Sequence, residues 1–329
     1  MASTKDIQRR IKSISSTKKI TKAMEMVAAA KMRRAVEAVL KTRTYANLSW
    51  STILDLSQAG SKNNDLLHPL LTKRKIIKKV AVILITSNRG LCGGFNTAII
   101  NKAHESIKKH SSFAQASEDK QEKIETDFIT IGKKGAAVRK YYKYNIVADF
   151  PKEDIISEVK EVLPISKMVI EDYLSGKYDK IMVAYTDYIN TAKQVPRVKQ
   201  LLPIDITTEE EYLGIVGEDT RVGIDKEFIE DKEKKYLRDK EYIFEYVFEP
   251  SPKEVLDEMI PRLIEVQLFQ ALLESTASEH SARMTAMHQA NSAAGDLVNE
   301  LTLYYNKARQ ASITAEIAEI SAGANALAE

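Results

Sequence analysis

The chain has 329 residues, 44% hydrophobic and 29% charged, the proportions of a protein with a real core. Its net charge of +3 hides a division: residues 1–50 hold 12 Lys or Arg against 3 acids, a net of +9, so the remainder sums to −6. A single cysteine, Cys92, excludes a disulfide framework, no apolar stretch reaches the roughly 18 residues of a membrane span, and the start MASTKDIQRRIK lacks the apolar block of a secretory signal.

No Gly or Pro occurs before Gly60. Interior Gly costs a helix about 1 kcal/mol and Pro about 3, so their absence predicts one helix over residues 3–56, about 80 Å long at 1.5 Å per residue. This defines an N-terminal helical segment, 1–58. Ile7, Ile11 and Ile14 begin an apolar stripe that passes to Ile20, Met24 and Val27 and then to Ala28, Met32, Ala35 and Val39. The spacing predicts a stripe that slides around the helix rather than a strict heptad, with Trp50, Ile53 and Leu56 closing it. The basic start also has the character of an organelle transit peptide, but the helical pattern continues far past the usual length of one.

Residues 59–249 read as an α/β domain. KVAVILIT, residues 79–86, is a continuous β-branched run expected of a strand buried on both faces. Further strands are expected at Asp127–Ile131, Asn145–Phe150 and Lys180–Tyr185, with helices at Asn96–Lys109, Gly135–Tyr144 and Pro151–Ser175 between them. That alternation predicts a mostly parallel sheet with crossover helices. Pro196, within Val195–Val198, points to an edge strand. Residues 205–241 hold 13 acids and 7 bases and read as a surface insertion. Tyr242, Phe244, Tyr246 and Phe248 alternate as in a last strand.

The segment 250–329 is a second long helix, about 110 Å over residues 252–326. Pro250 and Pro252 mark its start; Pro261 is expected to kink it about two turns in, or to begin its regular part. Small residues from Ser275 onward, such as Ala282, Ala286, Ala290 and Ala294, allow close approach of another helix. Two helices this long must pair with each other, with partners, or with both.

Signs of catalysis are weak. Ser87–Phe95 joins a strand to a helix, where a phosphate loop would sit, but offers neither the Lys-Ser/Thr pair of a Walker loop nor the Gly spacing of a dinucleotide loop. Of five histidines only His280 and His288, eight residues apart, come near metal spacing, with Glu279 the one nearby ligand, which disfavours a metal. No cofactor is expected. The basic first helix admits three readings by composition: a nucleic-acid arm, a solvated face, or a surface for an acidic protein. Only Tyr45 and Trp50 are aromatic there, so base stacking is poorly served. The far end weighs the choice. From Gln310 to Ala328 the only charges are Glu316 and Glu319, while Ile313, Ile317 and Ile320 supply apolar bulk, an exposed end that a partner should enclose.

KITKAMEMVAAAKM at 19–32, SNRGLCGGFN at 87–96, ASEHSARMTAM at 277–287 and ELTLYYNKARQASITAEIAEI at 300–320 closely resemble the gamma subunit of bacterial F-type ATP synthases. The resemblance implies an antiparallel coiled coil of the two terminal helices, joined to a Rossmann-like α/β foot. It also implies a rotor shaft with no catalytic site of its own. Such a shaft turns inside a ring of three alpha and three beta subunits and is bound at its foot to the epsilon subunit and the membrane c-ring. The expected place is peripheral, at the cytoplasmic face of the bacterial plasma membrane, with no nucleic-acid partner. Residue by residue, the resemblance puts Met24 near an acidic lever of a beta subunit with Arg283 on the facing helix. Arg309, Gln310 and Thr314 would meet beta-subunit loops, and Ile313, Ile317 and Ile320 would form the bearing tip. Arg9, Arg10, Lys12, Lys18, Lys19 and Lys22 would face acidic surfaces of the ring. The runner-up is a basic coiled-coil protein binding nucleic acid or serving as a scaffold.

Overall fold

In the computed structural model, residues 4–60, 68–72, 74, 77–114, 124–153, 158–204 and 252–328 are described. The insertion at 205–241, the strand expected at Tyr242–Phe248 and the side chains of Trp50, Ile53 and Leu56 lie outside what is described. The chain forms two compact units, one of Met1–Ala29 with Arg283–Glu329 and one of Ala30–Ala282. Helices α1 (Thr4–Gly60) and α5 (Pro252–Ala328) contribute to both.

The larger unit is built on a sheet of five strands: β1 (Lys79–Ile85), β2 (Glu125–Ile131), β3 (Asn145–Phe150), β4 (Lys180–Tyr188) and β5 (Gln194–Leu202). Their order is β3-β2-β1-β4-β5. β1 is central because it is apolar on both faces, and it pairs in parallel on both sides, Val82 lying beside Phe128 of β2 and Met182 of β4. β5 runs antiparallel to β4 at the edge, which tolerates Pro196 opposite Thr186.

The pleat sends alternate side chains to opposite layers. Val80, Val82 and Leu84 pack under Ile99, Ile100 and Ala103 of α2 (Phe95–Ala114) and Val138 of α3 (Ala137–Tyr142). Ala81, Ile83 and Ile85 face α4 (Leu163–Leu174) through Ile165 and Val169. The same layer takes in Val39 of α1 and Leu263, Ile264 and Leu268 of α5. Each such side chain contributes about 1.5–3 kcal/mol when fully buried. The two terminal helices are therefore part of this unit's core.

Three local features depart from expectation or fix the loops. α5 is helical through Pro261 rather than starting there. The missing N–H leaves the Asp257 carbonyl without its helical donor, at about 3 kcal/mol, but burial of Ile260, Leu263 and Ile264 around the proline outweighs it. The helix expected over Pro151–Ser175 begins only at Leu163, with Pro164 in its first turn, after a 3-10 turn at Val159–Glu161. Upstream, Lys152 is occupied by tertiary bonds: its carbonyl accepts from Asn88 Nδ2 and its ammonium pairs with Glu279. Gly132, just past β2, has φ of 99°, and a Cβ there would run into the Thr86 carbonyl. No other residue fits that approach of two loops.

At the amino ends of the strands, the Asp179 carboxylate accepts from Arg74 Nη1 at 2.9 Å and from the Lys78 and Lys79 amides at 2.8 and 3.0 Å. Burial raises its pKa, but the two amide bonds and Arg74 outweigh burial and hold it below the usual carboxylate value.

Candidate functional site

Within the smaller unit the two helices meet along a defined seam. His288 Nδ1 donates to Glu25 Oε1 at 3.2 Å, and a Cβ on Gly295 would lie 3.0 Å from Lys18 Nζ. As the number rises on one helix it falls by the same step on the other, so the pair is antiparallel. On α1 the seam runs through Ile7, Ile11, Ile14, Lys18, Thr21, Glu25 and Ala28, a strict 4-3 alternation in which Lys18, beside Gly295, is the one exposed member. On α5 it runs through Met284, Met287, Asn291, Ala294, Val298, Leu301, Tyr305 and Ala308, again strictly alternating. This corrects the expected sliding stripe. Ile20 and Val27, which suggested the drift, are 61% and 55% exposed, and the true seam is hard to see because its middle is polar.

Glu25 is the polar centre of that seam. Its carboxylate bonds Lys22 Nζ at 3.1 Å as well as His288, and Oε2 is buried without a hydrogen bond among the described residues. The Lys22 bond lowers its pKa below the usual value, burial opposes this, and His288 adds to the lowering. Neither Glu25 nor His288 was singled out as a pair by spacing. Extending the Ala28, Met32, Ala35 rhythm backwards would have found Glu25.

The residues expected to meet partners lie as follows. Met24 is half-buried beside the seam and Arg283 is half-buried on α5. The register places Gln289 opposite Met24, so Arg283 is six residues, about 9 Å, further along the helix. Arg9, Arg10, Lys12, Lys18, Lys19 and Lys22 are all exposed; Arg9 lies 3.9 Å from Asp6. On α5, residues 309–322 are exposed throughout, including Arg309, Gln310 and Thr314, and the Thr314 hydroxyl donates back to the Gln310 carbonyl at 2.9 Å. Ile313, Ile317 and Ile320 are 47%, 62% and 72% exposed, an apolar stripe that no other described residue covers.

The glycine turn after β1 is closed on itself. Asn96 Nδ2 donates to Ser87 Oγ at 2.7 Å and to Cys92 Sγ at 3.3 Å, while Asn96 Oδ1 accepts from the Ser87 amide at 3.0 Å. Ser87 Oγ donates to the Arg89 carbonyl at 2.7 Å, and Cys92 is buried. A phosphate site would need such donors pointing outward. Among the described residues no three His, Cys, Asp or Glu side chains group as metal ligands, and no helix is long and apolar enough to cross a membrane.

Elsewhere in α5 lies a feature that spacing did not show: Lys152, just past β3, and Glu279 pair at 2.7 Å with 2% and 8% of their side chains exposed.

The smaller unit is thus an antiparallel helix pair with an apolar stripe exposed among the described residues, and the larger an α/β domain whose core takes in parts of both long helices. A family model described as ATP synthase matches residues 3–327. The ATP synthase gamma chain of Pelotomaculum thermopropionicum is 41% identical over 330 residues, covering 99% of this chain and 100% of that one. That of Roseiflexus castenholzii is 39% identical over 332 residues with full coverage of both. A chain of the Euglena gracilis mitochondrial ATP synthase OSCP/F1/c-ring assembly matches in fold at 19% identity and a TM-score of 0.57, covering 98% of this chain and 94% of its own. A second, from the Tetrahymena thermophila central stalk and c-ring, has a TM-score of 0.53 at 20% identity, covering 82% and 99%. The chain belongs to the ATP synthase gamma-chain family. The matches fit the shaft reading and not the nucleic-acid one.

Proposed function

We propose that this chain is the central rotor shaft of an ATP synthase, carrying torque between a membrane c-ring and a catalytic ring of three alpha and three beta subunits. The observation that supports it most is family membership over residues 3–327 combined with an apolar helix end that no other described residue covers. Buried in a partner sleeve, Ile313, Ile317 and Ile320 would each contribute about 1.5–3 kcal/mol. They offer few hydrogen bonds to hinder turning.

In this reading the chain performs no bond chemistry. Arg309, Gln310 and Thr314 meet beta-subunit loops, Met24 and Arg283 pass an acidic lever, and the exposed cations of α1 face acidic ring surfaces, an attraction weakened by salt. The α/β unit binds an epsilon subunit and the c-ring, so the chain is peripheral, at the cytoplasmic face of a bacterial plasma membrane. Affinity purification of the tagged chain from membranes should recover alpha, beta, epsilon and c subunits with nucleotide hydrolysis. Recovery of the chain with nucleic acid and without alpha or beta would overturn the proposal.

A further inference from the structure

We propose that a polar joint between α5 and the carboxyl ends of the strands passes twist from the sheet into the helix, with Lys152 and Glu279 as its positioning pair; this rests on the rotor reading above. From Glu274 to Ser281 every α5 side chain is buried, and all but Ala277 are polar or charged. A helix buried on every side is ordinarily apolar, so this composition requires a reason.

The reason lies in where the polar groups are tied. Lys152 Nζ bonds Glu279 Oε2 at 2.7 Å, and Asn88 Nδ2, from the loop after β1, donates to the Lys152 carbonyl. Ser278 Oγ donates to the Thr186 carbonyl on β4 at 3.1 Å. Ser281 Oγ donates to the Thr191 carbonyl at 3.0 Å and accepts from Gln194 Nε2 at 3.2 Å, which adds the β4–β5 turn. The segment after β3 and the β4–β5 hairpin thus grip one stretch of helix, and the loop after β1 braces Lys152 from behind.

Apolar contact is non-directional and resists separation more than sliding, whereas hydrogen bonds fix direction and so resist shear. Stability alone does not account for the ion pair, since well-packed apolar residues in place of a buried pair are often neutral or better. Resistance to twist does. Among the described residues four bonds cross the joint, and a charge-assisted bond counts about twice a neutral one, so the pair supplies about two-fifths of that bonding and its loss should raise compliance by up to about 1.7-fold.

The test uses the assembled ATP synthase, its catalytic ring fixed to a surface and a bead attached through Tyr141→Cys, an exposed α3 position in the same unit as the sheet. The angular variance of the bead during a catalytic dwell reads compliance. Lys152→Met should widen it by up to about 1.7-fold at an unchanged hydrolysis rate, and Lys152→Arg should stay close to the unaltered chain. Lys152→Met/Glu279→Met removes both charges with little change of volume, so it keeps assembly while remaining compliant. If Lys152→Met fails to assemble, this double variant decides. Normal variance in either assembled variant would overturn the joint. A bead that never turns on the unaltered chain would instead sink the rotor reading on which the joint depends.

Discussion

Replacing Gly295 by Ala should stabilise the helix pair, a sign that follows from how the two helices meet. A Cβ at that position would lie 3.0 Å from Lys18 Nζ and 3.6 Å from Lys18 Cε, and no backbone atom of the opposite helix is among its near neighbours. Those two atoms end a flexible side chain that can swing aside. Ala is favoured over Gly inside a helix by about 1 kcal/mol, so after some cost in moving Lys18 the expected gain is about 0.5–1 kcal/mol, a rise in melting temperature of about 2 °C for a chain this large. Urea unfolding followed by helical circular dichroism reads the shift. Gly132→Ala serves as the opposite control: with φ of 99° and the Thr86 carbonyl in the way, it should cost about 1–3 kcal/mol or more. A loss of more than about 1 kcal/mol for Gly295→Ala would mean that the helices approach more closely than the Lys18–Gly295 register allows, and would refute the seam as drawn.

Four further outcomes are expected. Asp179→Asn should lose about 1.5–3 kcal/mol in denaturant unfolding, because three donors lose their charged acceptor; a change within error would show that water satisfies them equally well. The lowered pKa of Glu25 means that its contribution is present above the ordinary glutamate value of about 4.3 and lost as pH falls through and below it. Glu25→Gln should therefore flatten the pH dependence of helix-pair melting between about pH 5 and 3, and identical profiles would contradict this. Deleting Ala324–Glu329 should leave complex yield intact, whereas truncation after Gln310 should lower yield and coupling, since only the second removes Ile313, Ile317 and Ile320; equal, normal yields would count against an enclosed tip. Met24→Lys should leave assembly intact but lower ion pumping per ATP, since an added cation facing an acidic partner must be released at each step; normal pumping would show that this face meets no such partner.

The sheet was legible in the chain because its strands are dense β-branched runs. KVAVILIT could lie nowhere but in the middle, and Pro196 marked an edge before any pairing was known. The helix seam was not legible. Lys18, Thr21 and Glu25 occupy seam positions while Ile20 and Val27 face outward, so apolar spacing traced the wrong line through α1. Glu25, the charged member of the seam, is held across it by His288, which lies 263 residues away in sequence. The Lys152–Glu279 pair was hidden for the same reason, its members 127 residues apart and neither carrying a local motif. The partner-facing residues came from family resemblance, since an exposed Arg or Ile looks the same in a solvated face and in a bearing.

The central claim is that this chain turns within a catalytic ring while carrying out no chemistry. The direct measurement holds the ring of the purified complex to a surface, attaches a gold particle to the α/β unit of this chain, and adds ATP. The account predicts rotation in one direction with three dwells per turn, at a rate set by hydrolysis. A particle that stays still while the same complexes hydrolyse ATP at full rate would contradict it.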